Sequence, residues 1–173
     1  MTKGKGRKRH NPIKGLVVGI AAGAAASAAM DQYWGLVGRV PGERPEQKPR
    51  PGGNQQKPEP STQIIADKLA EALTGKEVPD EAKPAAGVAA HYLTGMLHGS
   101  FFGLLAALRP RTGLFAGLVY GVAIWFFLDE LALRALNLAP DPDKVPRKIH
   151  AQAVGAHLVY GGSLALVTRR FLR

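Results

Sequence analysis

Residues 15–31 read GLVVGIAAGAAASAAMD, and residues 113–129 read GLFAGLVYGVAIWFFLD. Both follow G-L-x-x-G-x-x-x-G, then seven residues, then Asp. Glycines four apart fall on one face of an α-helix, since a turn takes 3.6 residues. Composition alone rarely repeats three such glycines and a terminal acid, even with 21 glycines in the chain. The pair predicts two copies of one glycine-ridged helix. The expected fold is all-α: an integral membrane four-helix bundle made of two parallel-repeat helical hairpins, with a short extramembrane amphipathic helix.

The distribution of apolar residues carries the membrane expectation. Hydrophobic residues are 46% of the 173, which suits a soluble protein if evenly spread. They are concentrated instead. Residues 85–108, 112–128 and 149–168 are uncharged runs of 24, 17 and 20, and residues 15–38 are interrupted only by Asp31 and Gln32. About 20 apolar helical residues cross a hydrocarbon core, so four spans are expected. There are no cysteines, which excludes disulfides, thiolate metal sites and a cysteine nucleophile.

The net charge of +10 resembles a nucleic-acid signal until it is located. Eleven of the 23 Lys and Arg residues lie before the first run, between the second and third, and after the fourth, in segments with no acid. The rest of the chain carries 12 basic and 13 acidic residues. In a four-span chain those three segments share one side, and the bias of Lys and Arg marks it as cytoplasmic. Both termini are therefore expected inside, with the basic tails touching anionic lipid headgroups and no nucleic-acid partner.

Along the chain, residues 1–12 are a basic tail and 13–38 a first span. The triplet Ala26-Ser27-Ala28 after an apolar run also fits a signal-peptide cleavage site, but the same skeleton recurs mid-chain, where no signal peptide operates. Residues 39–60 are Pro-rich and polar, an expected disordered outer loop. Ser61 offers a helix N-cap, with Ile65, Leu69, Ala72 and Leu73 on one face and Gly75 as the stop, so short outer helices are placed at 61–84. Spans two, three and four are placed at 85–108, 112–137 and 149–168, with an outer turn at 138–148 and a tail at 169–173. Spans two and four share H-x-x-x-G, as HYLTG from His91 and HLVYG from His157. Two spans separate the copies, so they run parallel, related by an axis along the membrane normal.

Gly15, Gly19, Gly23, Gly95, Gly99, Gly103, Gly113, Gly117, Gly121 and Gly161 form ridges that let helix backbones approach closely. They are expected to pack spans one and three together, or two protomers into a homo-oligomer. Ionisable groups within spans are costly and face a bundle interior, so each is a functional candidate. Counting from the cytoplasmic charges places Asp31, Asp129, His91 and His150 near the outer boundary and His98 and His157 nearer the middle. Asp31, His91, Asp129 and His157 form the leading candidate protonation cluster, with His98, His150 and Glu130 as weaker candidates. Glu130, just past its uncharged run, suits a headgroup-level acid that caps a helix end or bonds a His across the bundle.

Three readings of these groups stay open. They are structural contacts; they are protonation sites, since imidazole titrates near neutral pH; or paired His residues on spans two and four hold haem or a metal. His98 with His157, or His91 with His150, are the pairs in question, although H-x6-H is not a standard metal spacing. No resident cofactor is expected. Ser27, Ser100 and Ser163 lack a nucleophile elbow and the glycines are helical rather than a phosphate loop, so no enzyme is expected.

The second half, GLFAGLVYGVAIWFFLDELALRALNLAPDP and then HLVYGGSLALVTRR, resembles the YagU-like group of small bacterial inner-membrane proteins of unknown function. The shared features are the glycine-ridge helix, N-L-x-P at residues 137–140, and a last helix with H-L-V before an Arg pair. The likeness covers residues 85–173 and, more loosely, 15–34. It implies a bacterial inner-membrane protein and supplies no catalytic residue. Together these features point to a non-enzymatic envelope protein responding to pH or stress; a proton-linked transporter or channel and a haem or metal carrier are the alternatives.

Overall fold

A computed structural model describes residues 11–39, 61–109, 112–136 and 145–172. The expectations for residues 1–10, the Pro-rich loop from 40 to 60, the 110–111 turn and residues 137–144 with N-L-x-P lie outside the described residues. Among the described residues the chain is all-helical, without strands. We label the helices α1 (Pro12–Val37), α2 (Ser61–Thr74), α3 (Lys83–Leu108), α4 (Leu114–Ala135) and α5 (Arg147–Leu172). Within α4, Trp125–Ala132 is π-helical. Two helices, α1 and α4, are long and apolar enough to cross a membrane.

Local chemistry sets the helix ends. The Asn11 side chain accepts a hydrogen bond from the Ile13 amide at 2.8 Å, and Pro12 occupies the first turn, where its missing N–H costs nothing. Gly75 follows α2 with φ of 72°, the left-handed conformation that ends helices. The Asp67 carboxylate accepts from the Val78 amide at 2.6 Å, folding the connection back towards α3. Within the 61–84 stretch assigned to short helices, residues 77–82 form a turn instead, in which the Pro79 carbonyl accepts from the Ala82 and Lys83 amides at 2.8 and 3.1 Å. At the far end α5 continues through Arg169 and Arg170, which the sequence placed in a tail.

The glycine ridges pack each ridge helix against its hairpin partner. A Cβ on Gly19 would land on the Gly99 carbonyl oxygen and one on Gly23 on the Gly95 carbonyl; one on Gly15 would lie 2.6 Å from Ala107 Cβ. In the second hairpin, a Cβ on Gly117 would meet the Gly161 carbonyl and one on Gly121 the His157 carbonyl. Gly113 is the N-cap of α4. The expectation that the ridges join spans one and three is therefore corrected. Each ridge face is filled by α3 or α5, because those antiparallel helices carry glycines or a bare carbonyl at the same four-residue step.

The hairpins meet where α5 crosses α1. Ala22, Ala26 and Met30 of α1, Phe102 of α3, Ile124 of α4 and Ala156, Tyr160 and Leu164 of α5 form one buried cluster. Small side chains dominate this interior, whereas Val17, Leu97, Phe101, Phe115, Val119 and Phe127 are more than half exposed. The buried Tyr160 hydroxyl donates to the Gly95 carbonyl at 2.6 Å, tying α5 to α3. Tyr160→Phe is expected to lower stability by about 1 kcal/mol, the net worth of one such bond, measured by denaturant titration in detergent. An unchanged midpoint would mean that packing alone holds the hairpins together.

Candidate functional site

All described acids sit at one end of the bundle, which we call the acidic end. Side chains on a helix lean towards its N-terminus. At the acidic end α1 and α4 finish while α3 and α5 begin, so acids on the former and imidazoles on the latter lean towards each other. The sequence candidates accordingly meet in pairs. His91 Nε2 lies 3.3 Å from Asp31 Oδ1, and His157 Nε2 lies 3.7 Å from Asp129 Oδ2. His150 Nδ1 lies 2.8 Å from Glu130 Oε1.

The two Asp–His pairs occupy different levels. The contacts Gly19–Gly99 and Gly23–Gly95 step by four residues in opposite directions, which sets Ser27 against residue 91 and Asp31 one turn beyond it. In the other hairpin, Gly121 faces His157, so Asp129 stands two turns beyond its partner. His157 thus corresponds in packing register to Gly95, not to His91. The alignment of the two H-x-x-x-G motifs is offset by one helical turn in space. The consequence is seen in burial: the side chains of His157 and Asp129 are 10% and 35% exposed, against 25% and 48% for His91 and Asp31.

Asp129 and Glu130 both lie in the π-helical stretch, whose wider turn interrupts an otherwise regular helix. The acid of the first hairpin, Asp31, lies in unbroken α-helix. Glu130 also forms an ion pair with Arg134 one turn on, and the two side chains are each 15% exposed. Arg134 was not singled out in the sequence, although its i, i+4 spacing from Glu130 is the signal that finds it.

Hydrogen bonding defines the state of the more buried pair. His157 Nδ1 lies 3.0 Å from the Ala153 carbonyl oxygen, which can only accept, so Nδ1 carries the hydrogen. In neutral imidazole Nε2 is then an acceptor. It faces a carboxylate oxygen, a second acceptor, across 3.7 Å. The gap between them is a slot for one proton, which would turn two facing acceptors into a charge-assisted hydrogen bond. His91 Nε2 and Asp31 likewise approach within ion-pair distance without forming a hydrogen bond. Asp31 is held from its other side by the Tyr92 hydroxyl, which donates to Oδ2 at 3.0 Å.

His98 joins neither pair; its backbone carbonyl accepts from the Tyr120 hydroxyl at 2.9 Å. The proposed His98–His157 axial pair is not favoured by this arrangement, because both ring nitrogens of His157 are directed at oxygens. Among the described residues no three His, Asp or Glu side chains converge as a metal site. Tyr92, Tyr120 and Tyr160 were also missed, since an isolated Tyr in an apolar run carries no periodic signal. No family model, curated protein or solved structure matches the chain.

Proposed function

We propose that the chain is a non-catalytic, acid-responsive protein of the bacterial inner membrane, in which α1, α3, α4 and α5 span the bilayer with both termini cytoplasmic. Several features support the membrane reading. Two helices have the necessary length and apolarity. Only 17% of the most apolar stretch of α4 is buried within the chain, which ill suits a soluble core helix. Large apolar side chains face outwards around a small-residue interior, as suits lipid. The separation of basic and acidic ends supports the orientation, and the resemblance to the YagU-like group supports the inner membrane.

The observation that carries the function is the Asp129–His157 slot, with the hydrogen of His157 committed to Ala153. Imidazole exchanges its proton between about pH 5 and 8, so external acid would fill the slot. Glu130 and Arg134 lie close enough to Asp129, and His98 to His157, to interact electrostatically, and His150 bonds Glu130, whereas Asp31, His91 and Tyr92 form a separate group on α1 and α3. Infrared difference spectra from about pH 8 to 5 should show imidazole protonation coupled to a carboxylate band shift. Asp129→Asn should remove that carboxylate band. Spectra identical to wild type in the Asp31→Asn/Asp129→Asn double variant would refute the proposal. The same double variant separates transport from sensing: pH-driven flux in proteoliposomes that it abolishes would make the protein a proton-linked transporter.

A further inference from the structure

The end of the bundle opposite the Asp–His pairs gathers cations and apolar side chains from separate parts of the chain. Gly15 of α1 packs on Gly103 and Ala107 of α3, and Leu172 of α5 is buried against Ala106, Ala107 and Val18. Those contacts bring the start of α1 to the ends of α3 and α5. Lys14, Arg109, Arg169 and Arg170 therefore share one end, and all four are exposed. No described acid lies at this end, and none of the four has a carboxylate within ion-pair distance among the described residues. The sequence adds Arg111, Arg173 and five cations before residue 10, again without an acid.

Large apolar side chains stand beside these charges instead of carboxylates. Ile13 is 69% exposed, Phe115 78% and Phe171 60%. The Arg170 guanidinium lies 6.0 Å from the Phe171 ring centroid, at the margin of a cation–π contact. A nucleic-acid backbone would complement the charges but leave the apolar neighbours in water. A phospholipid complements both, with phosphate at the cations and acyl chains along Ile13, Phe115 and Phe171.

We infer that this end is a binding face for anionic phospholipid headgroups, shared by the ends of α1, α3 and α5. The inference rests on the membrane reading above. The cations occupy three chain ends that small-residue contacts hold together, so a headgroup bridging them also clamps the hairpin ends. Selectivity should follow charge on the lipid phosphate, with phosphatidylglycerol or cardiolipin preferred to phosphatidylcholine.

Full-length protein purified in a neutral detergent, then titrated with each lipid and read by native mass spectrometry, tests this. Retention of phosphatidylglycerol is expected to exceed that of phosphatidylcholine by about tenfold. The Arg109→Gln/Arg169→Gln/Arg170→Gln variant should lose that preference, and Lys68→Gln/Lys76→Gln, with cations removed at the other end, should keep it. Equal retention of both lipids, a preference unchanged in the triple variant, or full displacement by millimolar inorganic phosphate would overturn the inference. So would tight binding of a single-stranded oligonucleotide at physiological salt without lipid selectivity. Protein that stays monodisperse without detergent would refute the membrane reading itself; protein that needs detergent yet takes both lipids equally would refute only this inference.

Discussion

Gly19→Val is expected to separate α1 from α3 and to cost upwards of 3 kcal/mol, enough to remove most of the folded population of a marginally stable bundle. The reason is what the new atoms would meet. Even the first carbon at Gly19 falls on the Gly99 carbonyl oxygen, with the Gly99 carbonyl carbon 2.9 Å and the Gly103 Cα 3.0 Å away. Those atoms are helical backbone and cannot rotate aside as a side chain can. Relief requires moving the two helices apart, which also breaks the contacts at Gly15 and Gly23. Gly35→Ala supplies the control, since nothing lies within 4 Å of a Cβ placed there. It should leave stability unchanged or raise it by up to about 1 kcal/mol, the helix preference of Ala over Gly. Denaturant titration in detergent micelles, with a cysteine cross-link between α1 and α3 as a second readout, measures both. Equal midpoints for the two variants would show that the close approach is not what holds the hairpin.

The glycine skeleton was legible because its four-residue step is a direct image of helix geometry. Which helix each ridge would meet was not legible. Ridges at 15, 19 and 23 fit any partner with small residues at the same step, and α3, α4 and α5 all carry such residues. The contacts at Gly99 and Gly161 decide it, and they depend on antiparallel register that no short-range pattern encodes. The same limit applies to the histidines. Motif alignment equated His91 with His157, whereas the ladder equates His157 with Gly95, because one hairpin slides by a turn relative to the other. Residue counting from the basic helix ends came closer, placing His157 deeper than His91. The π-helical stretch left no trace, since WFFLDELA reads as ordinary apolar helix. Its effect on the site is substantial, as it carries both acids of the second hairpin. Glu130 bonds His150 across the bundle, one of the roles its position suggested; its buried bond to Arg134 had a signal in the spacing that was not used.

Glu130→Ala should destabilise the second hairpin by about 3 kcal/mol, far more than a surface charge would. Glu130 and Arg134 are each 15% exposed, and Arg134 Nε has no hydrogen-bond partner of its own. Removing the carboxylate leaves a guanidinium that is both buried and unpaired, while His150 loses a 2.8 Å contact from the facing helix. The penalty comes from the stranded charge rather than from the pair's net worth. The Glu130→Gln/Arg134→Met double variant, which removes both charges at similar volume, should therefore recover most of the loss. Lys68 and Glu71 lie 2.7 Å apart on α2 but are largely in water, so Lys68→Ala should change nothing measurable. A Glu130→Ala variant as stable as Lys68→Ala would mean that water reaches the triad. A double variant as unstable as the single one would instead assign Glu130 a role in holding the π turn itself. The recovery expected here separates these outcomes, because only a stranded charge is cured by deleting its partner.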